Sequence, residues 1–244
     1  SLNSDHIFIV PGDANLHLMD SVGRDEAINY TCFHTERDAA MAADAYSKLK
    51  GDFGVLITSS GASGTNALTG LANAWTDSSP LIVISGQATS DQFSESGIRQ
   101  LGNKSLNIID IVKPLTKYAV RVDNPMKLRS ILEKAAFVAK EGRPGPVWID
   151  IPIDIQGMII DNRNQKKFNS PSINSNTNQL SMDVKKTLKL LRNADRPVLL
   201  IGNGVRLSGA VSIIHKLVDK INIPVLTSRR GADIISNNHK LYFG

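Results

Sequence analysis

Thr35-Glu36-Arg37-Asp38-Ala39-Ala40-Met41-Ala42-Ala43-Asp44-Ala45-Tyr46 decides how this chain is read. A threonine before an alanine-rich run caps a helix, and Asp38 stands three residues on, where a capping-box acid belongs. Gly51 follows the last turn, the usual place for a helix-ending glycine. Glu36 therefore falls in the first turn. Unpaired N–H groups carry partial positive charge there, and an acid is favoured whatever else it does.

Working outward, Ile7-Phe8-Ile9-Val10 reads as a short buried strand that breaks into Pro11-Gly12-Asp13. A helix is expected over 14–22 and a strand over 28–33. Behind the helix, 54–58 reads as a strand ending in Ser59-Ser60-Gly61-Ala62-Ser63-Gly64-Thr65-Asn66. A helix over 66–76 and a buried strand over 80–85 follow. Apolar runs flanked by Gly and Pro, alternating with helical patterns, predict an α/β chain with a parallel sheet. Parallel strands present their carboxyl ends together. Glu36 and the 59–66 loop are thus expected on the edge where open α/β sheets bind ligands.

The polar stretch 87–107 is expected to be a long loop, and loops of that length in a compact domain are usually functional. A strand over 118–122 leads to a helix capped by Asn124, with Pro125 at its first position and Leu128, Ile131, Leu132, Ala135 and Val138 on one face. A last strand covers 146–151. The Asn- and Ser-rich run 161–179 reads as a linker. A second unit then has a helix capped by Ser181, a strand at 197–201, a helix at 210–221 and a strand at 224–227. A lone βαβ unit cannot bury both faces of its sheet, so the chain is expected to be cut off inside this second domain at Gly244. The expected divisions are 1–157, a linker over 158–180, and 181–244.

The composition of the 244 residues, 41% hydrophobic and 21% charged, allows a sizeable core. Net charge is +5, but the Lys and Arg residues are scattered. Lys166-Lys167 and Lys185-Lys186 are only pairs, which argues against nucleic-acid partners. Cys32 reads as a small buried hydrophobe. A single cysteine makes no internal disulfide, which fits a reducing compartment. No signal peptide or membrane-length apolar run is seen, so no membrane partner and a cytoplasmic location are expected. His17 and His34 have no companions at metal-ligand spacing, so no metal site is expected in this chain.

Several residues carry two readings. Pro11-Gly12 is a plain turn or a place where backbone approaches a ligand. The 59–66 loop is a βα loop capped by Thr65 or Asn66, or a cradle for an anion. It lacks the Gly-Lys-Ser/Thr of a nucleoside triphosphate loop. Gln87, polar at the end of a buried strand, lines a site or bonds the backbone. Gly202-Asn203-Gly204 with Gly209 does not have the spacing of the dinucleotide fingerprint.

Taken in order, these motifs resemble the pyrimidine-binding domain of thiamine diphosphate enzymes of the acetolactate synthase group. The run Gly70 to Gln87 matches closely as well, and 181–244 resembles part of the Rossmann-like central domain of the same enzymes. The resemblance implies that Glu36 is catalytic: it hydrogen-bonds the aminopyrimidine ring nitrogen, favouring the tautomer that activates the cofactor. It implies cofactor contacts from Pro11, Gly12, Ser59, Ser60, Gly61, Asn66 and Gln87. Mg2+ and the diphosphate would be held by a third domain with a Gly-Asp-Gly motif, which does not occur in this chain. FAD is bound by the central domain of some members and not others. The substrate would be a 2-oxo acid, pyruvate going to acetolactate. Two chains would pair to complete each site, as a homodimer or homotetramer, and residues 1–244 alone would be inactive.

This chain departs from the family pattern at two places that bear on chemistry. Asp13 stands where members commonly have a second glycine. Counting back from Pro114-Leu115-Thr116-Lys117 puts Lys104 and Ser105 where a Gln-Glu pair is usual. Gln100 is a substitute if the loop shifts, and Lys104 is expected to face solvent. The alternatives are a non-catalytic nucleotide- or flavin-binding module on the same fold, or a related 2-oxo acid decarboxylase.

Overall fold

The computed structural model describes residues 5–92, 102–161, 163–171 and 177–244. They fall into two units, 1–170 and 171–244. In the first, β-branched runs become strands and alanine- and leucine-rich runs become helices. The order is β1 (His6–Ile9), α1 (Leu16–Arg24), β2 (Asn29–Cys32), α2 (Glu36–Lys50), β3 (Gly54–Thr58), α3 (Ala62–Asn66), α4 (Leu68–Asp77) and β4 (Leu81–Gln87). Then come α5 (Ile108–Val112), β5 (Tyr118–Arg121), α6 (Leu128–Lys140), β6 (Val147–Pro152) and α7 (Ile153–Gln156).

The strands form one six-stranded sheet in the order β2-β1-β3-β4-β6-β5. Every pairing in it is parallel, as the alternation of runs predicts. Chain direction across the sheet reverses between β1 and β3, so a crevice is expected outside their carboxyl ends.

Central strands are apolar on both faces because helices cover both. Leu56, Val83 and Trp148 pack with Ala39, Ala40, Ala43 and Leu71 of α2 and α4. On the other face Val55, Ile82 and Ile149 pack with Ile131, Ala135 and Ala139 of α6. Full burial of each such leucine or isoleucine contributes about 1.5–3 kcal/mol.

Several local expectations change. Cys32 is exposed, not buried. It lies on β2, which among the described residues pairs with β1 alone, and all four β2 residues are exposed. Pro125 opens a 3-10 turn over Pro125–Lys127, with the α-helix starting at Leu128; Asn124 still caps it through Met126 N. The first part of the expected linker is bound to α6. Gln165 accepts from Arg129 N at 3.0 Å and donates to Pro125 O at 2.9 Å. Phe168 N donates to Glu133 at 2.7 Å, and the Phe168 ring lies 5.6 Å from that of Phe137.

The second unit has α8 (Thr177–Arg192), β7 (Leu199–Ile201), α9 (Gly204–Leu207), α10 (Val211–Ile221) and β8 (Val225–Thr227), with β7 and β8 parallel. The helix expected to be capped at Ser181 begins earlier, at Thr177. Ile201, Val218, Val225, Ile234 and Ile235 form its small core.

A polar network crosses the main sheet. Asp150 on β6 accepts from Ser85 Oγ at 2.5 Å and from Gln87 Nε2 at 3.1 Å, and Trp148 Nε1 donates to Ser85 Oγ at 2.8 Å. Burial pushes the Asp150 carboxyl up to about 6, against the pull of Ser85, Gln87 and Arg121. The folded state thus holds this proton more tightly than the unfolded chain does. Its contribution to stability is full below the unfolded value of 3.8 and is lost as pH rises through about 6. We predict that Asp150→Asn, compared with the parent by urea denaturation, flattens the fall in stability between pH 4 and pH 7 by on the order of 3 kcal/mol. Identical pH profiles for the two would refute this.

Candidate functional site

At the carboxyl edge of the sheet, Val10-Pro11-Gly12 leaves β1, Thr35-Glu36 follows β2, and Ser59-Ser60-Gly61 leaves β3. Thr35 caps α2 as expected: its Oγ1 accepts from Asp38 N at 3.2 Å. Glu36 is the first residue of that helix and is only 8% exposed. The helix N-terminus favours its negative charge.

Asn66, at the end of α3, donates from Nδ2 to Glu36 Oε2 at 2.7 Å. A hydrogen bond to an ionised carboxylate at this length is among the stronger kinds. Among the described residues no other hydrogen bond or ion pair reaches the Glu36 carboxylate, which leaves Oε1 unspent. That oxygen can accept a further hydrogen bond from an N–H donor.

The turn after β1 is held in place from three sides. Asn15, fully buried, accepts from Gly12 N at 3.0 Å and donates to Val10 O at 3.0 Å. Ser59 Oγ lies 3.3 Å from Ala14 N. Gln156 Nε2 donates to Ala14 O at 2.8 Å. The close approach that Gly12 permits is to Ser59: a Cβ on Gly12 would lie 2.5 Å from Ser59 Cβ. Gly61 has φ +65°, a conformation glycine adopts without strain, and a Cβ there would meet the Lys104 carbonyl oxygen at 2.6 Å.

The structure therefore pairs Glu36 with Asn66 and packs Gly12 against Ser59, with Pro11, Ser60 and Gly61 beside them in the two turns that leave β1 and β3 at the same edge. Gln87 ends the neighbouring strand β4, whose Gly86 abuts Ala14 of the turn after β1. Gln87 is fully buried, and its amide is spent inside the fold: Nε2 on Leu106 O at 3.0 Å and on Asp150, Oε1 accepting from Ala88 N at 3.0 Å. Of its two readings, the internal hydrogen bond is the one observed. Gln100 lies outside the described residues.

Two contributors escape a reading of the sequence. Asn15 and Gln156 fix the turn after β1, yet isolated amides in helical segments carry no motif. Asp13 and Lys104 meet across the edge, with Nζ 3.5 Å from Oδ2. They are 91 positions apart, and only their individual oddness within the pattern is visible in one dimension. Burial works against the Asp13 charge, but the Lys104 ammonium and local backbone N–H groups hold its carboxyl below the usual range. Among the described residues no group of three or more His, Cys, Asp or Glu is placed to hold a metal ion. No helix among them is long and apolar enough to cross a membrane.

Comparison with known proteins gives two family matches. Residues 1–108 match the thiamine pyrophosphate enzyme, N-terminal TPP binding domain, and residues 184–244 match the thiamine pyrophosphate enzyme, central domain. A probable acetolactate synthase large subunit from Methanococcus aeolicus is 36% identical over 244 residues, covering 98% of this chain and 39% of that protein. The acetolactate synthase large subunit of Lactococcus lactis is 31% identical over 243 residues, 100% of this chain and 41% of that protein. That of Buchnera aphidicola subsp. Schizaphis graminum is 33% identical over 240 residues, 96% and 40%. The chain spans about two fifths of the length of the curated relatives it matches.

The Glu36–Asn66 contact gives a direct test of the site's construction. Asn66→Ala leaves a buried carboxylate oxygen without its donor and is expected to destabilise the first unit by about 1.5–3 kcal/mol. Combined with Glu36→Gln, the two losses should fall short of their sum, because the residues share one interaction. Strict additivity in urea denaturation would show that the pair is not coupled.

Proposed function

Because this chain belongs to the thiamine pyrophosphate enzymes, we propose that it is the pyrimidine-binding and central portion of an acetolactate synthase-like carboligase acting on 2-oxo acids. The observation that carries this is a buried glutamate at a helix N-terminus, on the carboxyl edge of a parallel sheet, with one oxygen tied by Asn66 and the other unspent. When bound, thiamine diphosphate supplies the electron sink for the carbon that loses carbon dioxide.

The chain's own residues do the rest of the work assigned here. Asn66 fixes the rotation of the Glu36 carboxylate through Oε2. Oε1, with no partner among the described residues, can share a proton with a ring nitrogen of the cofactor. Burial lowers the local dielectric, so that this one hydrogen bond carries more weight than it would in water. Ser59 and Asn15 keep the Pro11-Gly12 turn rigid, so that it forms one wall of the crevice. Ser60 and Gly61 continue the wall on the β3 side.

Mg2+ and the diphosphate are assigned to a further domain carrying Gly-Asp-Gly, which is not found in residues 1–244. By the same reading a second copy of the chain completes the site, as a homodimer or higher symmetric oligomer in the cytoplasm. FAD in the central domain is a secondary feature of this reading, supported only by the likeness of 184–244 to that domain. The divisions 1–157, 158–180 and 181–244 serve as working limits for the two functional parts.

The test is Glu36→Gln in the complete protein. It is expected to keep the fold and lower thiamine diphosphate-dependent consumption of pyruvate by about 10²–10⁴-fold, the range for loss of a positioned proton-transfer group. Residues 1–244 alone are expected to form no acetolactate. Turnover unaffected by the substitution would favour a non-catalytic binding module on the same fold.

A further inference from the structure

Asp13 and Lys104 form an ion pair that joins the turn after β1 to the loop after β4, across the edge that presents Glu36. The pair is ill suited to a purely structural role. Its Nζ–Oδ2 distance is 3.5 Å and its side chains are 61% and 56% exposed, and such pairs add little to stability. The backbone at Lys104 is nonetheless held in a demanding shape. Lys104 has φ +54°, a left-handed conformation that costs a non-glycine residue free energy, and its carbonyl is pressed onto Gly61. Asp13 is held from its inner side: Oδ1 accepts from Ala14 N at 3.1 Å and from Ser59 Oγ at 3.4 Å. Oδ2 is left for Lys104. The fold thus fixes a loosely engaged ammonium, with N–H donors to spare, beside Gly61 and Asp13 at the carboxyl edge of the sheet.

We infer that Lys104 is a substrate-binding residue that takes the carboxylate of the acceptor 2-oxo acid, with Asp13 as its resting partner. This rests on the function proposed above. The reaction itself says which carboxylate is meant. Two pyruvate ions and one proton give one acetolactate ion and one carbon dioxide. The C1–C2 bond of the donor breaks, a bond forms between the donor C2 and the acceptor C2, and the acceptor's ketone oxygen takes the proton. The donor's carboxylate must lose its charge as carbon dioxide leaves. A cation fixed on it would favour the ground state over the transition state and slow the step. The acceptor's carboxylate survives into the product, so an ammonium can hold it throughout. Asp13 competes for the same ammonium and releases it as the substrate carboxylate arrives.

The test uses the complete protein with thiamine diphosphate, Mg2+ and pyruvate, measuring acetolactate formed per carbon dioxide released. Lys104→Met is expected to lower that ratio about tenfold, with acetaldehyde appearing in place of acetolactate and half-maximal carboligation moving to higher pyruvate. Lys104→Arg keeps the charge and is expected to restore most of the ratio. Asp13→Asn removes the rival anion and is expected to shift half-maximal carboligation to lower pyruvate. An unchanged ratio in Lys104→Met, or an equal fall in both products with the circular dichroism spectrum intact, overturns the assignment of Lys104. A parent protein that releases no carbon dioxide in a thiamine diphosphate-dependent way overturns the proposed function itself, and this inference with it.

Discussion

A carboxylate taken out of water must find a donor, and at the head of α2 that donor is Asn66. Much of the first unit can be understood from this one requirement. Glu36 is buried because α2 packs face-on against the sheet through Ala39, Ala40 and Ala43, residues small enough to bring the helix close. Asn66 reaches it because β3 ends in a loop of serines and glycines that turns at once into α3. The helix N-terminus supplies a favourable field, and among the described residues no second side-chain partner reaches the carboxylate. One oxygen is therefore secured and one is held in reserve, an arrangement costly for a purely structural residue and useful for a reactive one.

The sequence carries this arrangement unevenly. The parallel sheet is legible because periodicity and punctuation reflect local physics: β-branched runs, caps at Thr35 and Asn124, a closing glycine at Gly51. The convergence of Glu36 with the 59–66 loop follows from strand direction alone. What escapes is whatever depends on neighbours distant along the chain. Cys32 sits in an apolar run, yet β2 has a partner on one side only, and periodicity does not reveal a strand's place in the sheet. Gln87 shares its strand end with other edge residues, but Asp150, 63 positions later, claims its amide. The polar composition of 163–171 suggests a free tether, and Gln165 and Phe168 instead find partners on α6.

The two units differ in how completely they satisfy their own apolar surface. In the first, both faces of the sheet are covered, and Ser85, Gln87 and Asp150 form a buried polar network between strands. In the second, none of the α8 residues is buried; Leu180, Met182, Val184, Leu188, Leu190 and Leu191 are exposed on it, as is Leu200 on β7. Beside its small core, Arg206 binds both Asp233 oxygens at 2.7 Å and ties α9 to the segment after β8.

The contact between Gly12 and Ser59 reaches beyond this molecule. The two positions are 47 apart in sequence but share a single small volume, which admits one side chain and no more. Their identities therefore constrain each other. A chimaera assembled from two parent sequences, with its crossover anywhere between β1 and β3, is sterically sound only if one parent's glycine still faces the other's serine or something smaller.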